Sequence, residues 1–446
     1  MAQRRIAVVL VNVIVFVVCA ELVSLTIFYY QTGHLFYAYR KPYPSFPETR
    51  DRRLTGDGLH PYFGPTHKSG HTFDVPASLL DAPPERRAVS SDPATQVGLK
   101  TNNFGFVSPH DYPFITSGTD QFVIGLFGGS VGVWFCQVGA NRLVEDLKQN
   151  GFFKSRELIT LCFSHEGYKQ PQELLLLAYF LSIGQHFDLV INIDGFNDVA
   201  LSSLNDEHGI DISMPSFQHL DPLINLLNQS TLTPDKLQSL AAIGRYKERL
   251  TSLTEAIRRN RIASINFVLD QYHQIVSNKY RAELADFARL PSNPSSSSII
   301  TVTPAVISRD RTRLFDDIAR NWMTSSILMN DLLAARTVPY FHFLQPNQYH
   351  TARTFGEAEA KAALSDASPF KRSVEEGYPV LVAASQSWAS KRNTMKFFDA
   401  THIFDREAAP VYIDNCCHYT LVGYRILADF IADNILNSDA SWKAAH

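Results

Sequence analysis

Nearly continuous apolar runs recur along the chain and predict buried parallel strands. They are residues 121–127 (QFVIGLF), 158–163 (LITLCF), 188–193 (DLVINI) and 338–344 (VPYFHFL). Runs of this length bounded by glycine or polar residues are typical of strands covered on both faces of a sheet. Apolar or amphipathic helical segments, residues 172–183 and 421–435, alternate with them. The alternation predicts an α/β domain built on a three-layer, doubly wound parallel sheet.

The longest apolar segment lies at the N-terminus. Residues 6–30 follow Arg4 and Arg5 and contain only four polar positions, Asn12, Glu21, Ser24 and Thr26. About 20 apolar residues cross a bilayer as a helix, so residues 1–30 are expected to form a transmembrane anchor. A signal peptide cleaved after Ala20 is the alternative, and the apolar residues that continue to position 30 favour the anchor.

Basic residues flank the apolar segment on both sides. Arg4 and Arg5 favour a cytoplasmic N-terminus, but Arg40 and Lys41 lie close to its other end, so the charges leave the orientation open. Because every later motif lies on one side of a single span, we expect a single-pass membrane protein with the rest of the chain on the exported, periplasmic or extracellular side. Glu21 is costly at mid-membrane, which places it near the interface or pairs it with another chain.

The remaining residues divide by composition. Residues 31–100 are rich in proline, glycine and charge and predict an extended tether. Residues 101–201 and 321–440 contain the apolar strand runs and are expected to form the two parts of one catalytic domain. Residues 202–320 predict a mainly helical insertion, which either caps the site or packs on one face of the sheet. Its amphipathic stripe recurs at helical spacing at Ile243, Tyr246, Leu250, Leu253 and Ile257.

Composition excludes several classes of function. Lysine plus arginine is 41 and aspartate plus glutamate is 44, so 41 − 44 gives a formal charge of −3. This balance argues against nucleic-acid binding, which needs a basic excess. Five cysteines without a C-x-x-C pair argue against a disulfide scaffold and a cysteine-built zinc site. We expect neither a metal nor a cofactor.

Polar clusters follow three of the predicted strands. Ser130 lies among glycines in GGSVG (residues 128–132), Gly167 follows the second run, and Asn197 lies in DGFND (residues 194–198). Farther along the chain, DNCCH (residues 414–418) precedes the last helix. The carboxyl ends of parallel strands meet at one edge, where such sheets bind ligands. A nucleophilic serine needs a base, the base needs a carboxylate, and the oxyanion needs donors, and these clusters offer candidates for each.

The four clusters in this order resemble the SGNH (GDSL-type) hydrolases, over residues 101–201 and 338–437. The resemblance implies a flavodoxin-like SGNH hydrolase fold and a serine esterase mechanism. It makes Ser130 the nucleophile and its N–H one oxyanion donor. The other roles it implies are oxyanion donation by the Gly167 N–H and the Asn197 amide, general base catalysis by His418, and orientation of that base by Asp414. Residues 101–106 (TNNFGF) and 343–347 (FLQPN) resemble segments of exported members.

The chain departs from the family pattern in two places. The nucleophile block is Gly-Gly-Ser-Val instead of Gly-Asp-Ser-Leu. The family spaces its acid and base as Asp-x-x-His. In this chain Asn415 occupies the position of that aspartate, and Asp414 lies one residue farther from His418. Either a bulge lets Asp414 reach the imidazole, or Asn415 orients it. His165 and Glu166, beside Gly167, either line the pocket or form a solvated turn.

The expected function is a serine esterase that hydrolyses or transfers a small acyl group, such as acetyl on an exported carbohydrate. The alternatives are a polysaccharide O-acyltransferase with the same serine chemistry and an inactive, membrane-tethered SGNH-like binding protein. An α/β-hydrolase is disfavoured because no His-Gly-Gly-Gly motif precedes Ser130. The expected partners are an acyl ester or acylated carbohydrate and the membrane, without nucleic acid. Cys416 and Cys417 either pair with Cys136 or Cys162 or remain buried thiols.

Overall fold

The computed structural model describes residues 2–39, 57–76, 96–220, 233–290, 304, 307–389 and 396–438. Parts of the expected tether, insertion and second catalytic segment lie outside the described residues. The chain forms two compact units: residues 1–55 with 222–301, and residues 56–221 with 302–446.

The secondary structure is as follows. The strands are β1 (Asp57–His60), β2 (Gly64–His67), β3 (Thr72–Pro76), β4 (Gln96–Lys100), β5 (Gln121–Gly128), β6 (Glu157–Ser164), β7 (Leu189–Asp194), β8 (Tyr340–Leu344) and β9 (Lys396–Asp399). The helices are α1 (Ala2–Thr32), α2 (Ser130–Trp134), α3 (Ala140–Leu147), α4 (Gly151–Lys154), α5 (Gln172–Ser182), α6 (Phe196–Glu207), α7 (Pro234–Arg259), α8 (Ala263–Arg289), α9 (Arg311–Ala334), α10 (Glu357–Ala363), α11 (Lys371–Ala389) and α12 (Leu421–Asn437). A π-helical segment, Phe135–Gly139, joins α2 to α3.

Helix α1 confirms the predicted apolar N-terminal helix. Its segment Ala7–Thr32 has a mean hydropathy of 2.7 and is long and apolar enough to cross a membrane. Length and composition alone fit either an anchor or a signal segment.

Glu21 of α1 pairs within its own chain. Its carboxylate accepts the backbone N–H groups of Ala263 (2.7 Å) and Ser264 (2.9 Å) and the Ser264 hydroxyl (2.7 Å). The first N–H groups of a helix have no intrahelical acceptor, and an anionic side chain at that end also suits the helix dipole. Glu21 therefore caps α8 of its own chain instead of pairing with a second chain, and its position near the membrane interface stays a prediction.

Helices α7 and α8 confirm the predicted amphipathic stripe. The Thr233 side chain accepts the N–H of Lys236 at 3.2 Å, and Pro234 occupies the first turn of α7. Leu250 and Leu253 are buried with Val276 and Tyr280 of α8 in a separate small core. Each helix thus covers the apolar face of the other.

The second unit contains the predicted parallel sheet. Within the described residues, five parallel strands pair in the order β6-β5-β7-β8-β9. Counted along the chain this order is 2-1-3-4-5, that of flavodoxin-like doubly wound sheets, whose switch point lies between β5 and β7. Strands β5, β6, β7 and β8 coincide with the four apolar runs, and β9 was not predicted.

Apolar side chains cover both faces of the sheet and form two cores. Ile124 and Leu126 of β5 belong to the core with α12, whereas Val123 and Phe127 belong to the core with α5. Successive strand residues point to opposite faces, so a continuous apolar run serves both cores. The unit is therefore a three-layer α/β structure.

Part of the segment expected as a tether forms two antiparallel hairpins, β1–β2 and β3–β4. Phe63 between β1 and β2 is buried in the core with α5. The Gln172 amide donates to the Phe63 carbonyl (2.6 Å), and the Tyr168 hydroxyl donates to the Pro65 carbonyl (2.6 Å). These bonds fix β2 against the loop that follows β6.

A disulfide joins Cys136 of the π-helical segment to Cys162 of β6, with the Cα atoms 5.9 Å apart. The bond links the helical stretch that Ser130 begins to the neighbouring strand. Its two cysteines are 26 residues apart in sequence.

Removing this disulfide should lower the free energy of unfolding by about 3 kcal/mol, the loop-entropy value for a ring of this size. Urea unfolding of the Cys136→Ala/Cys162→Ala double variant would measure it. A thiol reductant is the matched control, because it should destabilise the wild type and leave the double variant unchanged. Equal unfolding midpoints for the wild type and the double variant, both measured without reductant, would contradict the expectation.

Candidate active site

Glycines at the end of β5 allow other chain segments to approach Ser130. Gly128 has a φ of +150°, and a Cβ there would overlap the carbonyl oxygen of Ile193 in β7. A Cβ on Gly129 would overlap the side-chain amide of Asn197. Only glycine tolerates these approaches, so the Gly-Gly-Ser sequence places Ser130 beside the end of β7 and beside Asn197.

Ser130, His418 and Asp414 form a continuous hydrogen-bonded chain. The Ser130 Oγ lies 2.8 Å from Nε2 of His418. The Nδ1 of the same ring lies 2.5 Å from Oδ2 of Asp414. With Nδ1–H donating to the carboxylate, Nε2 has a lone pair that accepts the serine hydroxyl. The arrangement is that of a nucleophile, its base and an orienting acid.

A turn after Asp414 accounts for the unusual spacing. The second oxygen of Asp414, Oδ1, accepts the backbone N–H groups of Cys416 (3.0 Å), Cys417 (3.1 Å) and His418 (3.2 Å). The carboxylate thus folds the following residues around itself as an Asx-type turn, which returns the imidazole to its Oδ2. The sequence left open whether Asp414 or Asn415 orients the imidazole, and in the structure Asp414 makes the bond to the ring.

Residues after β8 hold this turn in place. The Asn347 amide donates to the Cys416 carbonyl (3.0 Å), and the Gln348 amide donates to the Asp414 carbonyl (3.0 Å). The Tyr419 hydroxyl donates to the Pro346 carbonyl at 2.6 Å. The segment FLQPN (residues 343–347) and Gln348 therefore hold the turn from Asp414 to His418, the acid–base turn, at the edge of the sheet.

The electrostatics suit a base that works near neutral pH. Burial by itself lowers the pKa of His418, but the bond to Asp414 and its negative charge outweigh this and raise the pKa. Burial raises the pKa of Asp414, while the His418 ring and the backbone N–H donors lower it more strongly, so its pKa lies below the ordinary value. Asp414 is therefore ionised wherever His418 is being titrated.

Asn197 lies in the first turn of α6, directly after β7, and Gly167 lies on the loop after β6. The Asn197 amide donates one hydrogen to the Tyr168 carbonyl at 2.8 Å, which leaves its second N–H for another acceptor. Gly167 has a φ of +78°, and a Cβ there would lie 2.6 Å from Cε1 of His219. Both the conformation and the neighbouring ring require glycine at this position.

The neighbours of Asn197 rule out the helix N-cap role that such a residue often has. Gly195 is the N-cap of α6, and Asp198 accepts the Gly195 N–H (3.2 Å) and the Gln170 N–H (2.8 Å). Burial, followed by the charge of Asp194, raises the pKa of Asp198 to about 8. Asp198 therefore ties the loop after β7 to the loop after β6, and Asn197 is positioned without capping the helix.

A buried network below this edge was not foreseen from the sequence. Asp194, the last residue of β7, accepts Trp322 Nε1 at 2.7 Å and lies 2.6 Å from Nε2 of His342. His342 is on β8, and its Nδ1 lies 2.6 Å from the Ser326 hydroxyl. The network fixes the carboxyl ends of β7 and β8 relative to α9.

Two free thiols adjoin the proposed nucleophile. Cys417 is buried, and its Sγ lies 4.0 Å from Ser130 Oγ and 3.5 Å from the Sγ of Cys416. Burial raises the pKa of the Cys417 thiol well above its ordinary value, so the sulfur is neutral beside Ser130. Because Cys136 pairs with Cys162, the alternative pairing of either with Cys416 or Cys417 is wrong.

His165 and Glu166 form a cluster with residues that the sequence did not single out. His165 is 2% exposed, so it does not lie on a solvated turn, and burial lowers its pKa to about 4. The Oε2 of Glu166 lies 3.0 Å from Nε2 of His67, at the end of β2. The ring of His219 also lies close to His165, with centroids 5.8 Å apart. Only the folded hairpin brings His67 to this loop, so no local signal identifies it.

The chain was compared with known protein families and with curated proteins. No family model matches the chain, and no curated protein matches it. Membership of the SGNH hydrolases therefore stays a prediction from the motifs.

Proposed function

We propose that this protein is a serine esterase of the SGNH type, with Ser130 as nucleophile, His418 as general base and Asp414 as the acid that orients the base. The observation that carries the proposal is the bonded series Ser130–His418–Asp414 at the carboxyl edge of a parallel sheet. Ligands of doubly wound sheets bind at this edge, beside the switch point between β5 and β7.

The proposed reaction has two steps. The Ser130 oxygen attacks the ester carbonyl while its proton passes to Nε2 of His418, and the resulting imidazolium is stabilised by Asp414. His418 then protonates the departing alcohol, which leaves an acyl-Ser130 ester. Water loses a proton to His418, attacks the acyl carbon and releases the carboxylic acid, and the proton returns to Ser130.

Three donors are proposed for the oxyanion that forms in both steps. They are the backbone N–H groups of Ser130 and Gly167 and the remaining N–H of the Asn197 amide. The amide packs against Gly129, next to the nucleophile, and its other hydrogen is fixed by Tyr168. Donors held in place before the reaction need no reorganisation when the charge develops, which is the main source of such stabilisation.

The substrate is proposed to be a small acyl ester, such as acetyl on a carbohydrate, outside the cytoplasm. Helix α1 suits a single-pass anchor. The Cys136–Cys162 disulfide supports the exported side for the second unit, because disulfides persist in oxidising compartments.

A serine-directed fluorophosphonate tests the proposal. The protein should become labelled, and mapping of the modified peptide should place the label on Ser130. Prior incubation with an acetyl ester substrate should slow the labelling. A protein that is folded by circular dichroism yet remains unlabelled, or is labelled elsewhere, would overturn the assignment and favour a binding protein.

Asn197→Ala should reduce turnover by about 10²–10³, the usual loss when one oxyanion donor is removed. The lost bond to Tyr168 should cost only about 1 kcal/mol of stability. Turnover at low temperature and the melting temperature would be measured together.

Asn205→Ala is the matched control for this variant. Asn205 is also buried in α6, and its amide donates to the Met214 carbonyl at 3.1 Å, away from Ser130. It should lose stability but keep its rate. If both variants were merely less stable and equally active, Asn197 would have no part in the chemistry.

A further inference from the structure

We propose that His67, His165 and Glu166 form a binding site for a divalent transition-metal ion, with Zn²⁺ as the best fit. One donor atom from each of the three residues lies within 4.8 Å of the other two. The closest pair, Nε2 of His67 and Oε2 of Glu166, is 3.0 Å apart. Ligands of a tetrahedral zinc ion at 2.0–2.1 Å are about 3.3 Å from each other, so side-chain shifts of roughly 1 Å would complete the site.

His165 supplies the observation that points to a ligand. Its Nδ1 lies 3.0 Å from the carbonyl oxygen of Glu166, to which a protonated Nδ1 donates. This tautomer leaves a lone pair on Nε2, and Nε2 is buried without a hydrogen-bond partner among the described residues. An imidazole that donates one N–H to a backbone carbonyl and offers its other nitrogen is the usual form of a metal-ligating histidine.

The ligands are held by the fold before any ion binds. His67 ends β2, which is fastened to the loop after β6 through the Tyr168–Pro65 and Gln172–Phe63 bonds. His165 and Glu166 begin that same loop. A site formed by rigid neighbouring segments needs little ordering on binding.

The choice of ion follows from the donor atoms and their exposure. Two imidazoles and one carboxylate are typical zinc ligands, and they leave a fourth tetrahedral position for water. Hard ions such as Ca²⁺ and Mg²⁺ prefer sets made entirely of oxygen. The Glu166 side chain is 43% exposed and that of His67 is 21% exposed. Their facing atoms, Oε2 and Nε2, are themselves covered, so an ion enters only when these two side chains move apart.

Bound there, the ion would join β2 to the loop that carries Gly167. This would stabilise the loop against unfolding, whether or not Ser130 is a nucleophile. The site is thus independent of the proposed esterase activity, and Ser130→Ala should bind the metal as the wild type does.

The test uses the full-length protein in detergent, stripped of metal by a chelator and titrated with Co²⁺ and then with Zn²⁺. We expect one equivalent of Co²⁺ to produce visible d–d bands of a tetrahedral ion, without thiolate-to-metal charge transfer, and Zn²⁺ to displace it. His67→Ala and Glu166→Gln should each weaken binding by more than the roughly 10–100-fold that loss of an outer-shell partner causes. Glu166→Gln keeps the size of a half-exposed side chain, so it separates ligand loss from misfolding.

Two controls test whether the metal ion binds elsewhere in the chain. His402→Ala removes a histidine paired with Asp405, and it should leave the affinity unchanged. Cys416, Cys417 and His418 form a second group of potential ligands. A charge-transfer band that disappears in Cys416→Ser/Cys417→Ser would put the ion there and overturn the proposal. Absence of binding, or equal affinity in Glu166→Gln, would also overturn it.

Discussion

Ser130→Ala should lower the turnover of a fluorogenic acetyl ester by about 10⁴-fold or more, because no other group on the pathway can form the acyl-enzyme. The variant should remain folded, since the change removes one hydroxyl and one hydrogen bond, worth about 1 kcal/mol. Hydrolysis at substrate saturation and the melting temperature are the two measurements.

Ser164→Ala is the matched control. Ser164 ends β6, is buried like Ser130, and its hydroxyl donates to the Leu126 carbonyl at 3.2 Å. It should keep most of the activity. If Ser130→Ala retained more than a few per cent of the wild-type rate, Ser130 would not be the nucleophile, and an equal loss in both variants would indicate a structural effect.

Asp414→Ala should reduce turnover by about 10⁴-fold, the loss seen when a serine–histidine pair is deprived of its orienting carboxylate. Asp414 fixes the proton on Nδ1 of His418 and also organises the turn through its second oxygen. His418→Ala should be at least as slow. Asn415→Ala is the control, since within the described residues Asn415 is hydrogen-bonded through its backbone carbonyl, which accepts the Ser368 hydroxyl at 3.0 Å.

The same variant should change the pH dependence. His418 accepts a proton only when neutral, so the rate rises with pH through the His418 pKa, which Asp414 holds above the ordinary value of about 6.5. Without Asp414 the lowering effect of burial prevails, the pKa falls, and the acidic limb moves to lower pH. The negative charge of Glu166 also raises this pKa and remains in the variant. Coinciding acidic limbs and equal rates in wild type and Asp414→Ala would mean that Ser130 and His418 act as a dyad.

The sequence predicts the buried strands of the sheet better than the exposed one. Strands β5, β7 and β8 and the C-terminal half of β6 are buried and therefore have continuous apolar sequences, although β6 lies at an edge of the sheet. Strand β9 has four residues, Lys396–Asp399, and none is fully buried, so it has no such run. The strands before β5 are equally short and rich in polar residues and glycine, and the β1–β2 hairpin is held by bonds from Tyr168 and Gln172, which follow β6.

The sequence also predicts some residues of the candidate site better than others. Ser130, Gly167 and Asn197 could be located because each directly follows a predicted strand, and parallel strands end at one edge. The partner of His418 could not be decided from spacing, because the Asx-type turn depends on three backbone hydrogen bonds. His67 and His342 approach the site through tertiary packing alone, and a single sequence carries no trace of such pairs.

The distance along the chain between Ser130 and His418 has a consequence for biosynthesis. At roughly 5–20 residues per second, a ribosome that has added Ser130 needs about 15–60 s to add the next 288 residues, which end at His418. During that interval the serine has been made but has no base, and a serine hydroxyl without a base is a weak nucleophile. During most of translation the nascent chain therefore has no activated serine, and the proposed esterase becomes active only when the acid–base turn and α12 dock onto a sheet that is otherwise complete.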